Sequence, residues 1–264
     1  MARKGNTLGS LPVGTKIKFG SIFGNPIIQK IANKSGSDIT LIADGIIARY
    51  ACDAKEPANS DSDRQSYGNN RYIYSNIHQW LNSEAGAGTW YTAQHSADHA
   101  PDSTSVVSEN PYSAAAGFLD GFTTKEKNYL KTKTITVGKT AIDGGGTETL
   151  NARIWLLSGT EAGLATDYTE GTQLSLFTDN ASRIAYETAD CAAHCGGTAG
   201  AARLYWLRTP YPSYSCYVRM VGSDGALGIV YAYYGDLGVR PLCVLDSSVM
   251  CSGSVDSDGC HTLA

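Results

Sequence analysis

Few stretches of this sequence bring together side chains that could do chemistry. "CAAHC" at 191–195 sets Cys191, His194 and Cys195 within one or two helical turns, and Cys260-His261 adds two more soft ligands. Structural zinc takes four such ligands in a tetrahedron, usually from C-x2-C knuckles. This spacing is different and no second knuckle lies nearby, so ordinary thiols are the favoured reading, with zinc and a local disulfide as alternatives. "HSADH" at 95–99, with Asp98 and Asp102, could form a metal or general-base cluster. It lies in a polar stretch with no G-x-S-x-G, H-E-x-x-H or phosphate-binding loop to supply a partner, and solvated loop histidines are expected. "DSDRQSYGNN" offers Asp61, Asp63, Asn69 and Asn70 as oxygen ligands for calcium but lacks the EF-hand spacing and its closing Glu. "SSVMCSGSVDSDGC" near the C-terminus carries the same weak acidic signal. No metal and no cofactor are expected.

The seven cysteines (52, 191, 195, 216, 243, 251 and 260) are an odd number. Reduced thiols, several buried as small hydrophobes, are the expectation. A Cys243–Cys260 or Cys251–Cys260 bridge is the alternative, and spacing does not choose between them.

Residues 205–245 are of another kind. They hold seven of the chain's 16 tyrosines, interleaved with Gly, Ser and Ala, and almost no acid, base or metal ligand. Were 211–236 core, one strand face should carry Val, Ile, Leu and Phe. Instead Tyr211, Ser213, Tyr214, Ser215, Tyr231, Tyr233, Tyr234 and Asp236 sit mainly in or beside turns. Tyrosine gives large amphipathic contact area with few torsions to freeze, while Ser and Gly give room and adaptable hydrogen bonds. That is the composition of a binding surface; a tyrosine-laden face packed beneath a loop is the competing reading. Catalysis fits poorly, since the stretch has no histidine, no paired carboxylates and one Cys216 without a base beside it. Arg208 and Arg240 flank it, and each is expected to be tied to carbonyls or a carboxylate where strands end.

Short-range patterns along the rest of the chain predict the elements around this stretch. Residues 1–10 look like a flexible leader. From Leu11 the pattern is β, through "TKIKFG", "PIIQKIA", "DITLIAD" and "IIARYAC", with Asp44-Gly45 as a hairpin signal. Residues 56–70 and 92–112 read as long loops. "YSNIHQWLNSE" predicts a helix with Ser75 as N-cap and Ile77, Trp80 and Leu81 on one face. Thr123 with Glu126, and Ser158 with Glu161, are capping-box patterns, and "DGGGTE" at 143–148 is a turn. A Gly/Ala/Ser-rich region at 159–203 leads into strand-like "LYWLR", "CYVRMV", "GIVYAY" and "GVRPLCVL", with "GSDGAL" as a hairpin turn. The prediction is one α+β domain over 11–264 with short helices, many short strands and long loops.

Composition narrows the function classes. With 264 residues, 42% apolar and 17% charged, the chain can bury a sizeable core. A net charge of −4 with mixed signs gives no basic patch for nucleic acid. The N-terminus lacks the apolar stretch of a signal peptide, and no apolar run is long enough to span a membrane. A soluble product made in the cytosol is expected.

At "YWLRTP…YVRMVGSDGAL…GVRPLCVL", preceded by "ARIWLLSGTE" and "IHQWLNSE…FLDGFTTKEKNYL", the sequence resembles the C-type-lectin-fold variable proteins of gut bacteria and their phages, and related phage tail or host-attachment proteins. The resemblance runs through most of the chain, from "LGSLPVGTKIKF" onward. It implies a C-type-lectin-like α+β fold and a C-terminal region diversified by a retroelement. It also implies a non-catalytic receptor-binding role on a phage tail or bacterial surface, with a host surface protein or glycan as partner, other tail proteins or further copies as neighbours, and neither nucleic acid nor membrane insertion. The implied frame is Trp206, Leu207, Arg208, Tyr217, Val218, Arg219, Asp224, Gly225, Leu227, Gly238, Val239, Arg240 and Pro241. The implied varied, ligand-facing positions are Tyr211, Ser213, Tyr214, Ser215, Cys216, Met220, Gly222, Gly228, Ile229, Val230, Tyr231, Tyr233, Tyr234 and Asp236. The Cys, Met, Ile and Val among them favour a protein or mixed ligand over a pure sugar. "EPA" at 56–58 replaces the "EPN" of calcium-dependent sugar binders, and no "WND" is present, so that chemistry is not implied. Nor does anything match the reactive cysteine pair of formylglycine-generating enzymes, which share the fold. A structural virion protein, or a thiol or metal enzyme using Cys191, His194 and Cys195, are the alternatives.

Overall fold

The computed structural model describes residues 5–108 and 110–264. In chain order, its first elements are β1 (Asn6–Thr7), β2 (Lys16–Ile22), β3 (Asn25–Ser35), β4 (Asp38–Ala43), β5 (Ala48–Arg49), α1 (Ser62–Tyr67), α2 (Asn76–Leu81) and α3 (Thr124–Tyr129). There follow β6 (Lys133–Gly138), β7 (Thr147–Ala152), β8 (Ile154–Leu156), α4 (Asn180–Arg183), β9 (Ala185–Tyr186) and α5 (Ala189–Cys195). The rest is strand: β10 (Ala202–Arg203), β11 (Tyr205–Pro210), β12 (Tyr217–Val221), β13 (Leu227–Tyr231), β14 (Gly238–Val239), β15 (Pro241–Asp246), β16 (Met250–Cys251) and β17 (His261–Thr262). The molecule is α+β, with strands predominating over a few short helices.

Period-two alternation builds the larger sheet, which runs β17-β2-β3-β4-β15-β8. Ile17 and Phe19 of β2, and Ile27 and Ile31 of β3, turn their side chains into the core. The β2–β3 turn places Phe23 at φ 54° and Gly24 at φ 82°, two successive left-handed residues whose twist matches that of the flanking strands. The smaller sheet runs β13-β12-β11-β14-β5 and places the tyrosine-bearing hairpin at one edge. Buried apolar residues from both sheets join in one cluster. Among the described residues no helix is long and apolar enough to cross a membrane.

Arg240, between β14 and β15, stands where the chain passes from one sheet to the other. It is 2% exposed, donates from Nε to the Ala43 carbonyl at 3.0 Å and from Nη1 to the Arg183 carbonyl at 3.2 Å, and lies over the rings of Phe177 and Tyr205. Pro241 begins β15 opposite Leu156. Arg208 is buried in β11. Its Nη1 donates to the Leu156 carbonyl (2.9 Å) and to Glu161 Oε2 (2.5 Å), and its Nη2 to Glu161 Oε1 (3.1 Å) and the Glu170 carbonyl (3.0 Å). The fork of guanidinium donors thus serves one carboxylate and the ends of two chain segments. Trp206, fully buried, donates from Nε1 to the Tyr50 carbonyl at 2.7 Å.

Local signals hold where they act locally. Ser75 caps α2 through His78 N, and Ile77, Trp80 and Leu81 are buried. Thr123 and Glu126 form the reciprocal box that opens α3. Ser158 and Glu161 exchange the same pair of bonds, each 3.0 Å, but close only a turn. Three expectations differ from the structure. Asp44-Gly45 joins no hairpin: β4 stays in the larger sheet while β5 pairs with β14 in the smaller. Gly45 is needed instead for close approach, since a Cβ there would lie 2.6 Å from the Tyr186 carbonyl oxygen. The 56–70 stretch contains α1, capped by Asp61, which accepts from Arg64 N at 2.9 Å. Of the expected leader, residues 1–4 lie outside the described residues, while β1 pairs with β16 and Leu8 is fully buried.

Candidate ligand-binding surface

The surface begins with one hairpin. The turn after β12 is closed by Gly222 N donating to the Ala226 carbonyl at 2.7 Å, and Gly225 there has φ +80°. Its missing side chain lets the turn sit against α4, for a Cβ would lie 2.0 Å from the Asn180 carbonyl oxygen. That turn sets the register: Tyr217 opposes Tyr231, Arg219 opposes Ile229, and Met220 opposes Gly228. Directly opposed residues share a sheet face, so Tyr217 and Tyr231 meet, with ring centroids 4.2 Å apart.

Further rings join this pair from both sides. Tyr67, from the C-terminal end of α1, stacks on Tyr231 at 4.3 Å. Tyr214 meets Tyr217 edge-on at 5.5 Å and stacks with Tyr211 at 6.0 Å. Tyr233 and Tyr234 adjoin Tyr231 at 6.0 and 6.3 Å. Seven phenols therefore form one contiguous array, bounded by the Arg219 guanidinium over Tyr211 (4.6 Å) and the Lys55 ammonium over Tyr233 (5.3 Å). All seven rings are partly exposed; Tyr214 is the most open at 51%. Interaction with the Tyr231 hydroxyl, then burial, raises Tyr217 above the ordinary phenol range.

Beneath the array lies a polar clamp. Asn70 Nδ2 donates to the carbonyls of Tyr214 (2.7 Å), Tyr217 (2.8 Å) and Tyr211 (3.4 Å), which fixes the 211–217 loop. Ser215 Oγ donates to Asp61 Oδ1 at 2.6 Å. Asn69 bridges Arg71 N and Glu56. Asp61, Asn69 and Asn70, considered above as calcium ligands, thus serve as a helix cap and chain clamps. No local pattern in the sequence marks Asn70 for this task.

The expected division into frame and ligand-facing residues needs correction at several positions. Ser215 (6% exposed) and Cys216 (1%) are buried beneath the loop. Met220, Gly228 and Val230 lie on the face opposite the rings, and Met220 and Val230 pack against the core. Asp236 pairs with buried Arg49 but keeps its side chain 44% exposed, as expected of a ligand-facing position. Tyr217 and Arg219, expected in the frame, belong to the ring face, as does Tyr67, which lies outside the stretch. The face is thus made by Tyr67, Tyr211, Tyr214, Tyr217, Arg219, Ile229, Tyr231, Tyr233 and Tyr234, with Ser213 exposed in the loop.

The other candidates fall elsewhere. Cys191 and Cys195 are buried on one side of α5, where Arg49 N donates to Cys195 Sγ at 3.4 Å. Cys191 Sγ donates to Glu187 Oε1 at 3.6 Å, and interaction with Cys191 lowers the Cys195 thiol below the ordinary thiol range. His194 points away and stacks on Phe23 at 4.1 Å, so the three residues do not converge. His261 Nδ1 contacts the Ser252 carbonyl at 2.7 Å, and all seven cysteines are free and buried. Asp102 closes a turn by accepting from Thr104 N and Ser105 N. His95, expected as a solvated loop residue, instead has its Nε2 2.8 Å from Oε1 of buried Glu56. Asp53 and Asp98 lie close by, and burial raises both carboxyl groups above their ordinary range.

Comparison with curated proteins and with solved structures gave no match. Residues 37–247, most of the chain and all of the ring face, match the family model described as "Domain of unknown function (DUF6273)", and the chain belongs to that family.

Proposed function

We propose that this protein is a non-catalytic receptor-binding protein that grips its ligand with the seven-tyrosine array. The observation that carries the reading is the array itself: contiguous, partly exposed rings on and beside a hairpin that is held by Asn70 and the Gly225 turn and that pairs with β11, which Arg208 ties to Glu161. Rigid phenols lose little entropy on contact and offer both apolar area and a hydrogen-bonding tip. A patch of this kind buries on the order of 800 Å² per partner, with a few rings dominating the energy. The fold is read as C-type-lectin-like and the face as the varied region of a retroelement-diversified protein, on a phage tail or bacterial surface. The ligand is a host surface protein or a glycan presented with apolar neighbours. Several copies on one particle would raise avidity.

The test compares wild type with a Tyr214→Ser/Tyr233→Ser/Tyr234→Ser variant for binding to intact bacterial cells and to arrayed bacterial glycans. Binding by wild type and none by a folded variant is expected. Equal binding by both overturns the assignment, and ring-face burial within a purified oligomer favours subunit packing instead. Diversification has its own test: a near-copy of the codons for 205–245, differing only at adenines and lying beside a reverse-transcriptase gene.

A further inference from the structure

Near the ring face lies a second polar cluster that ligand binding does not use. Glu56, in the segment between β5 and α1, and His95 and Asp98, from the loop at 92–112, converge with their ligand atoms within 4.8 Å of one another. Glu56 is 1% exposed. His95 Nε2 is itself buried, and although it lies 2.8 Å from Glu56 Oε1, the contact does not have hydrogen-bond geometry and Nε2 has no hydrogen-bond partner. Asp53, 1% exposed, adds a third carboxylate, with its two oxygens capped by Asn76 N and Asn69 N at 2.9 and 3.0 Å. Among the described residues no lysine or arginine is ion-paired with Asp53, Glu56 or Asp98. Gathering buried carboxylates around one imidazole is costly without a compensating cation.

The surrounding amides hold the carboxylates in place. Asn69 Nδ2 donates to Glu56 Oε1 (3.2 Å), Asn76 Nδ2 to Asp98 Oδ1 (3.2 Å), and Gln94 N to Asp98 Oδ2 (2.7 Å). Outer hydrogen bonds of this sort fix the ligands of metal sites. We infer that Glu56, His95 and Asp98 form a binding site for one divalent first-row transition ion, of the zinc or manganese class. An imidazole among two carboxylates suits such ions, whereas calcium and magnesium prefer all-oxygen sets. Solvent fills the remaining positions.

The ion would tie the Glu56 segment to the 95–107 loop, and both support the ring face. Asp53 N donates to the Ala232 carbonyl (3.1 Å), Lys55 N to the Ser105 carbonyl (2.9 Å), and Val107 N to the Tyr233 carbonyl (3.0 Å). The site's role is structural: it stiffens the base from which Tyr233 and Tyr234 project. This inference is independent of what the ring face binds.

The test uses the whole chain, stripped with a chelator and then titrated separately with zinc, manganese and calcium, with elemental analysis after dialysis. About one equivalent of zinc or manganese is expected, with a rise in melting temperature. His95→Gln and Asp98→Asn, each checked for folding by circular dichroism, should weaken binding by more than about 100-fold. Three results overturn the inference: neither zinc nor manganese retained by wild type, calcium bound in their place, or retention unchanged in both variants. The wild-type titration decides the matter even if a variant fails to fold.

Discussion

Replacing Arg208 by Met tests how stiff the frame beneath the rings is. The guanidinium is 1% exposed and makes five hydrogen bonds, two to Glu161 and one each to the carbonyls of Thr136, Leu156 and Glu170. Met keeps much of the apolar stem but leaves Glu161 without its cation and three carbonyls without a donor. Breaking a buried pair from one side costs about 3–5 kcal/mol, because the remaining charge stays uncompensated. For 264 residues, roughly 2 °C of melting temperature accompanies each kcal/mol, so a fall of about 6–10 °C is expected. Urea denaturation followed by tryptophan fluorescence measures the same loss at constant temperature. Converting Glu161 to Gln in the Met background should recover part of it, since the orphaned charge is then gone. A loss below about 1 kcal/mol in the single variant would refute the claim that this ion pair anchors β11.

Three further outcomes follow from named contacts. Gly225→Ala, at φ +80° with a carbonyl oxygen 2.0 Å from the new Cβ, should cost about 2–4 kcal/mol, read by thermal melting; a neutral result would mean the hairpin turn is not pinned to α4. Tyr231→Ala loses two close stacks and should cost about 1–3 kcal/mol, whereas the more open Tyr214→Ala should stay within about 0.5 kcal/mol; equal losses in urea melts would contradict the graded exposure. Glu170 is buried, and burial is the chief cause that raises its carboxyl above the ordinary range. The folded state then holds the proton more tightly than the unfolded one, so this group's contribution to stability grows as pH falls from the folded value toward the ordinary glutamate value. Relative to Glu170→Gln, wild type should therefore gain stability as pH falls toward the ordinary glutamate value of 4.5, by at most about 1.4 kcal/mol per pH unit. Parallel pH profiles would contradict this.

What the sequence revealed was decided over three or four residues. The α2 face, the Thr123–Glu126 and Ser158–Glu161 boxes and the "GSDGAL" turn are all short-range patterns, and each appears in the structure. Arg208 and Arg240 were legible as ties to carbonyls and a carboxylate. Pairing across the sheets was not legible. Asp44-Gly45 has the composition of a hairpin turn, yet the strands it separates find partners far along the chain in β15 and β14. The ring face was found by composition but misassigned in detail, because parity in the β12–β13 register places Tyr217 with Tyr231 and sends Met220 and Val230 to the other side. Asn70 and Tyr67 come from a stretch that reads as loop, and only folding brings them beneath and beside residues 211–231. The Glu56–His95 approach likewise joins residues with no shared local pattern.

A fixed frame carrying an exchangeable ring face should tolerate combinatorial replacement of the rings but not of the frame. One displayed library would vary Tyr211, Ser213, Tyr214, Ile229, Tyr233 and Tyr234 together, and a second would vary Trp206, Arg208, Gly225 and Arg240. Both would be scored clone by clone for protease resistance. Most clones of the first library should stay folded and yield binders on selection, while nearly all of the second should be digested. Similar survival in the two libraries, or collapse of the first, would contradict this.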